Sequence, residues 1–170
     1  MYGVIVNFAL VGQVCLNDHT MTLMTYAYKQ PNNWTCGPAV ARIILQTFGR
    51  RKTIGEVIHE LGSTKAGTAN RDLRRLFRKY DIKFKEKESA SIKDLKAMLK
   101  NHWVVIAYWM PKHKEAHYSI VRKVTSKRVY FHDTWFGLNH SYSTGHFIKN
   151  WWDDEATRWF MAVKKPTSAN

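Results

Sequence analysis

The chain has 170 residues, of which 45% are hydrophobic and 14% aromatic, with seven tryptophans. This is enough for one packed domain without disulfides or metal, and it excludes a disordered chain. Lys and Arg number 27 against 13 Asp and Glu, a net charge of +14; that imbalance points to an anionic partner, whether nucleic acid, a membrane surface or an acidic peptide, and is silent on fold.

In chain order, the opening MYGVIVNFALVGQVCL is apolar but has no basic segment before it, and Asn7 and Gln13 interrupt it. It is too short to span a bilayer, and the bulky Val14 before Cys15 does not suit a lipoprotein signal. Residues 1–25 are expected to be an N-terminal extension or an extra strand, with Met21 or Met24 as an alternative start. Residues 26–165 then form one domain and 166–170 a tail, since no repeat, low-complexity tract or linker divides them.

The first helix is predicted from about Gly37 to Phe48, with Pro38 in its first turn and Gly49 as its stop. A second opens with a capping box, Thr53 to Glu56, and closes at Gly62. A third spans roughly Arg71 to Tyr80, and Ser91 with Asp94 opens a fourth that ends near Asn101. The runs WVVIAYW from Trp103, HYSIVRKV from His117 and RVYFHD from Arg128 are rich in β-branched and aromatic residues and read as strands. Ser143 or Thr144 caps a short helix through Trp151, and a last strand lies near Trp159 to Val163. Helices first and an antiparallel sheet later give an α+β fold class.

Cys15 and Cys36 occupy dissimilar settings, which argues against a disulfide framework and for a reducing compartment. Cys36 sits where a turn enters a helix, so unpaired N–H groups and the positive end of the helix dipole would favour a thiolate. Gly37 would let a substrate backbone approach closely. Gln30, six residues upstream, has a side-chain amide able to donate to an oxyanion together with the Cys36 N–H. On these residues alone Gln30 is equally an ordinary loop residue, and Cys36 an inert buried thiol.

His117 opens a strand, a rigid support for an imidazole base, although a satisfied strand-end histidine would look the same. His19, His59, His113, His140 and His146 fall in loops, at element ends or within a helix. Asp133 ends the following strand, and a hairpin would bring it beside His117, sixteen positions away (133 − 117), to fix the imidazole tautomer. The adjacent His132 must face the other side. His113 and His117 have a four-residue spacing, but Pro111 and the neighbouring lysines disfavour a helix presenting both to a metal. No metal or cofactor is expected.

The segment QPNNWTCGPAVARIIL resembles the Gln-to-Cys-Gly-Pro-Ala signature of C39-like peptidases, the papain-like family that includes leader-removing domains of bacteriocin exporters. The Gly49 turn, Leu61-Gly62, Gly67-Thr68, AHYSIV around His117 and the Asp133 to Gly137 segment follow in the family's order. The resemblance implies a papain-like fold, with a helical half packed on an antiparallel sheet. It implies Cys36 as nucleophile, His117 as base, Asp133 as orienter and Gln30 as oxyanion donor, with a peptide or protein substrate and, for the exporter domains, cleavage after a double-glycine leader. Here Thr134 stands where the family often has Pro, and Trp34-Thr35 replaces an acidic or Tyr-containing lead-in.

Trp34, Trp109 and Trp135 are candidates for the walls of the substrate groove, or for the core. A cytoplasmic location, at the inner face of a membrane if an exporter is involved, is the expectation. No GxxxxGK[ST] motif occurs, so this sequence is expected to carry no exporter ATPase of its own. Two other readings stay open. Arg71, Arg74, Arg75 and Arg78 share one face of the third helix opposite Leu73, Leu76, Phe77 and Tyr80, as a noncatalytic module binding nucleic acid or anionic membrane would require. The same triad could also pass an acyl group to an amine or thiol, since a thioester serves either acceptor.

Overall fold

A computed structural model describes residues 28–166; Cys15, His19 and the predicted N-terminal extension or extra strand lie outside the described residues. Helices α1 (Cys36–Thr47), α2 (Ile54–Leu61) and α3 (Asn70–Lys79) come first, followed by strand β1 (Phe84–Lys87) and helix α4 (Ile92–Leu99). Then come β2 (His102–Met110), β3 (Glu115–Val124), β4 (Arg128–His132), β5 (Ser141–Ser143), α5 (Thr144–Asn150) and β6 (Phe160–Lys164).

Local chemistry accounts for several of these boundaries. The Thr53 hydroxyl accepts the Glu56 N–H (3.2 Å) while the Glu56 carboxylate accepts the Thr53 N–H (2.7 Å). Ser91 and Asp94 repeat the arrangement at α4, so each box occupies orphan donors at a helix start. Gly62 ends α2 in the left-handed conformation, at φ 71°, which a residue with a Cβ adopts only at a cost.

The six strands form one antiparallel sheet in the order β1-β6-β2-β3-β4-β5. Side chains alternate across it. One face, with Trp103, Val105, Ala107, Tyr118 and Ile120, packs on α1 to α3 through Ile44, Leu61 and Phe77. The other, with Val104, Ile106, Tyr108, Val121 and Phe131, is covered by Leu95 of α4 and by Phe147 and Trp151 at α5. The helices are therefore split between the two faces of an α+β domain.

The predicted basic stripe on α3 is largely engaged within the protein. Arg74 pairs with Glu86 of β1 (2.9 Å), Arg75 with Asp72 (2.5 Å) and the Leu61 carbonyl (2.6 Å), and Arg78 lies over the Phe84 ring. Arg71 points to solvent. Among the described residues no helix is long and apolar enough to cross a membrane.

Candidate active site

Cys36 opens α1 and is buried, 6% exposed. Thr35 precedes it but makes no side-chain cap; its hydroxyl donates to the Asn32 carbonyl instead (3.3 Å). Pro38 has no N–H. The N–H groups of Cys36 and Gly37 thus go uncapped at the positive end of the helix dipole. Gly37 has a packing role here: a Cβ on it would lie 2.6 Å from both Cβ and Oγ1 of Thr68. The close approach that a glycine permits is therefore filled by the Thr68 side chain.

His117 lies near the start of β3, directly opposite Tyr108 of β2. Its Nε2–H donates to Asp133, 3.1 Å from each carboxylate oxygen. The other ring nitrogen, Nδ1, does not bond Asp133, and Cys36 and His117 line one cleft; Cys36 also contributes to the raised His117 pKa. Burial opposes a charged imidazole, but the hydrogen bond and charge of Asp133, followed by Cys36, outweigh it and raise the His117 pKa to about 10.

Burial likewise pushes Asp133 toward protonation. The opposing effects of His117 and the N–H groups of Phe136 and Trp135 prevail and hold it well below the usual carboxylate range. Those two N–H groups reach Asp133 Oδ1 at 2.9 and 2.8 Å. The buried Tyr108 hydroxyl donates to Oδ2 at 3.2 Å, and its ring meets His117 edge-on at 5.5 Å. The carboxylate thus accepts from His117, Tyr108 and two backbone N–H groups, which fix its direction.

His132 turns away from this cluster, as strand alternation requires. It pairs in register with Ile120, and both its ring nitrogens lack a hydrogen-bond partner. Burial, with the charge of Arg122, lowers its pKa to about 4 and keeps it neutral.

Cys36 and His117 share a cleft of about 590 Å³ whose walls include Trp34, Trp109 and Tyr118. Trp109 stacks on Trp152 at 4.7 Å. Trp135 instead lines a second cavity, with Tyr28 and Leu138, behind the Asp133 turn; its link to the site is the N–H that holds Asp133. Gln30 is buried, and three bonds fix it. Its N–H donates to the Thr134 carbonyl (2.9 Å), its Nε2 to the Asn32 carbonyl (2.7 Å), and its Oε1 accepts the Thr134 hydroxyl (2.6 Å).

The cleft carries Asp72, Glu115, Asp153, Asp154 and Glu155 against Lys65 and Lys114. In a chain of net charge +14, the cleft is a local exception, with its basic residues mostly placed elsewhere.

Tyr108 and Thr134 are the site residues that sequence reading missed. Tyr108 was visible as part of a strand, but its pairing with His117 depends on the register. Thr134 was visible only as a departure from a motif.

This arrangement of helix-borne thiol, strand-borne imidazole and buried carboxylate agrees with what sequence comparison finds. The profile of the Peptidase C39 family matches residues 25–156. The chain belongs to the Peptidase C39 family. No curated protein matches it. Among solved structures, it is similar to the peptidase domain of Streptococcus ComA, a bi-functional ABC transporter involved in a quorum sensing pathway. That match has a TM-score of 0.65 at 14% identity and covers 82% of this chain and 97% of that one. It is also similar to a double glycine motif protease from an AMS/PCAT transporter solved with the leader peptide, at TM-score 0.62 and 15% identity, covering 82% and 91%. The Streptococcus mutans ComA peptidase domain matches at TM-score 0.56 and 15% identity, covering 81% and 97%. At these identities the structures speak for the C39 peptidase fold, and the family membership for a cysteine peptidase.

Proposed function

We propose that the chain cleaves peptide bonds with Cys36 as nucleophile, His117 as base and Asp133 as the group that orients the base. The observation that carries this reading is the buried His117–Asp133 pair, whose carboxylate is held by three further donors, with Cys36 on the same cleft as His117.

The chemistry follows from that arrangement. With the Cys36 proton held on His117 Nδ1, as the raised His117 pKa favours, the sulfur attacks the carbonyl carbon while Asp133 stabilises the imidazolium. The oxyanion is held by the Cys36 N–H, left uncapped at the start of α1, and by the Gln30 side-chain amide. Collapse breaks the C–N bond, and His117 returns its proton to the departing amine. A water molecule, deprotonated by His117, then attacks the thioester; the acid is released and the thiol restored.

The acidic lining of the cleft disfavours a polyanion there and suits a peptide. Cleavage after a Gly-Gly pair is carried over from the relative bound to its leader peptide.

The test combines mass spectrometry of a peptide library, including Gly-Gly and Ala-Ala partners, with iodoacetamide labelling of Cys36. Wild type should cut at the Gly-Gly site, Cys36→Ala should not, and His117→Ala should slow labelling at neutral pH. Wild type without cleavage, and Cys36 labelling unchanged in His117→Ala, would sink the peptidase reading. Polyanion binding that survives Cys36→Ala would then favour the basic-module alternative.

A further inference from the structure

We infer that Thr134 is a positioning residue that holds the Gln30 amide with its N–H end toward the reaction, so that the Asp133-Thr134 dipeptide orients both the base and the oxyanion donor. This rests on the proposed role of Gln30.

The geometry is specific. Thr134 is buried at 1% exposure and Gln30 at 4%. An amide side chain has two orientations related by a flip, and only one presents N–H where the other presents oxygen. The Asn32 carbonyl, which can only accept, takes one Nε2–H at 2.7 Å, so the flipped orientation would set two oxygens against each other. At the far end the Thr134 hydroxyl donates to Oε1 at 2.6 Å. The second Nε2–H makes no hydrogen bond among the described residues, and on the proposed role of Gln30 it is the one that would meet the oxyanion. Donation to Oε1 also polarises the amide and strengthens its N–H groups as donors.

Main-chain pairing ties the two residues together as well, through the Gln30 N–H to the Thr134 carbonyl at 2.9 Å. Asp133 forms a bridge with Gly137 just past β4, and Thr134 opens the turn between them. Asp133 turns to His117 and Thr134 to Gln30, and a single peptide unit sets the spacing between the two. Thr134 reaches no reacting atom itself; its effect passes through Gln30.

The test uses the full chain with two reactions. The p-nitrophenyl ester of an N-acyl Gly-Gly peptide reports acyl transfer, which develops an oxyanion. Iodoacetamide alkylation of Cys36 develops none and reports only the thiol and His117. Gln30→Ala should lower ester kcat by roughly 100-fold. Thr134→Val should lower it by about tenfold, roughly half of that effect in free energy, with KM and the alkylation rate unchanged, and Thr134→Ser should restore it. In a Gln30→Ala background, Thr134→Val should add nothing. Thr134→Ala serves the same comparison if valine disturbs packing.

Wild-type kcat in Thr134→Val alongside a slow Gln30→Ala would overturn the inference and leave the role of Gln30 standing. Wild-type kcat in Gln30→Ala would overturn both. Equal losses in ester turnover and alkylation would place the effect on the Asp133 side and overturn the positioning role.

Discussion

Replacing Gly37 with Ala tests whether the position of the nucleophile depends on the contact between α1 and the segment before α3. The added methyl would sit 2.6 Å from Thr68 Cβ and Oγ1 and 3.1 Å from Cγ2, where ordinary contact begins at 3.4 Å. Thr68 has little freedom to retreat, because its hydroxyl bonds Ser63 Oγ at 2.7 Å and its carbonyl accepts the Tyr118 hydroxyl at 3.1 Å. Overpacking of this kind costs about 1–3 kcal/mol, against a gain of under ~1 kcal/mol for alanine over glycine within a helix. A net loss of about 1–2 kcal/mol lowers the melting temperature by roughly 2–8 °C in a chain of this size.

The same displacement would move Cys36 relative to His117, and a shift of about 1 Å in a reacting group can cost ~100-fold in rate. Thermal melts and the rate of Cys36 alkylation measure the two effects. Thr68→Gly removes all three opposing atoms, so Gly37→Ala should cost clearly less in that background. An unchanged melting temperature together with an unchanged alkylation rate in Gly37→Ala alone would refute the packing argument.

The His117–Asp133 pair makes stability depend on pH in a definite sense. The raised pKa of His117 contributes stability that is complete below its unfolded value of about 6.5 and is lost as pH rises through about 10. The lowered pKa of Asp133 contributes above about 3.9 and is lost as pH falls below that. The gap between wild type and Asp133→Asn in urea unfolding should therefore be widest, roughly 3–5 kcal/mol, between about pH 4 and 6.5, and should narrow toward pH 10; a flat gap contradicts the pairing. Tyr108→Phe keeps the ring against His117 but deletes the donor to Asp133 Oδ2, so it should cost roughly 1.5–3 kcal/mol of stability and slow Cys36 alkylation; wild-type behaviour in both assays would show the bond to be idle. Arg75→Ala removes the bond to the Leu61 carbonyl and should cost about 1 kcal/mol, whereas Arg71→Ala should stay within about 0.5 kcal/mol; chemical denaturation of both variants distinguishes a structural stripe from a free one.

What the sequence made legible was what local chemistry decides. The two capping boxes mark α2 and α4 to the residue because each is closed by side chains three positions apart. Cys36 at a helix start, and Asp133 brought beside His117 by the β3–β4 hairpin, follow from a turn signal and from strand alternation. Strand β1 escaped because FKEK carries almost no apolar pattern; it is a strand through pairing with β6, Phe84 against Val163. Strand β5 is three residues long, too short for any period to show. Gly37 was read as a substrate contact for its missing side chain and Trp135 as an aromatic groove wall; in space Gly37 meets Thr68 and Trp135 lines the second cavity. The bond from Thr134 to Gln30 spans 104 positions, and no local rule reaches that far.

The two outer strands of the sheet also bear on how an enzyme that handles extended chains avoids capturing them in the wrong place. Among the described strands, the edges are β1, which carries Lys85 and Lys87, and the three-residue β5. Charged and very short edges are poor templates for another strand. A further chain is thereby discouraged from adding to the described sheet as a seventh strand.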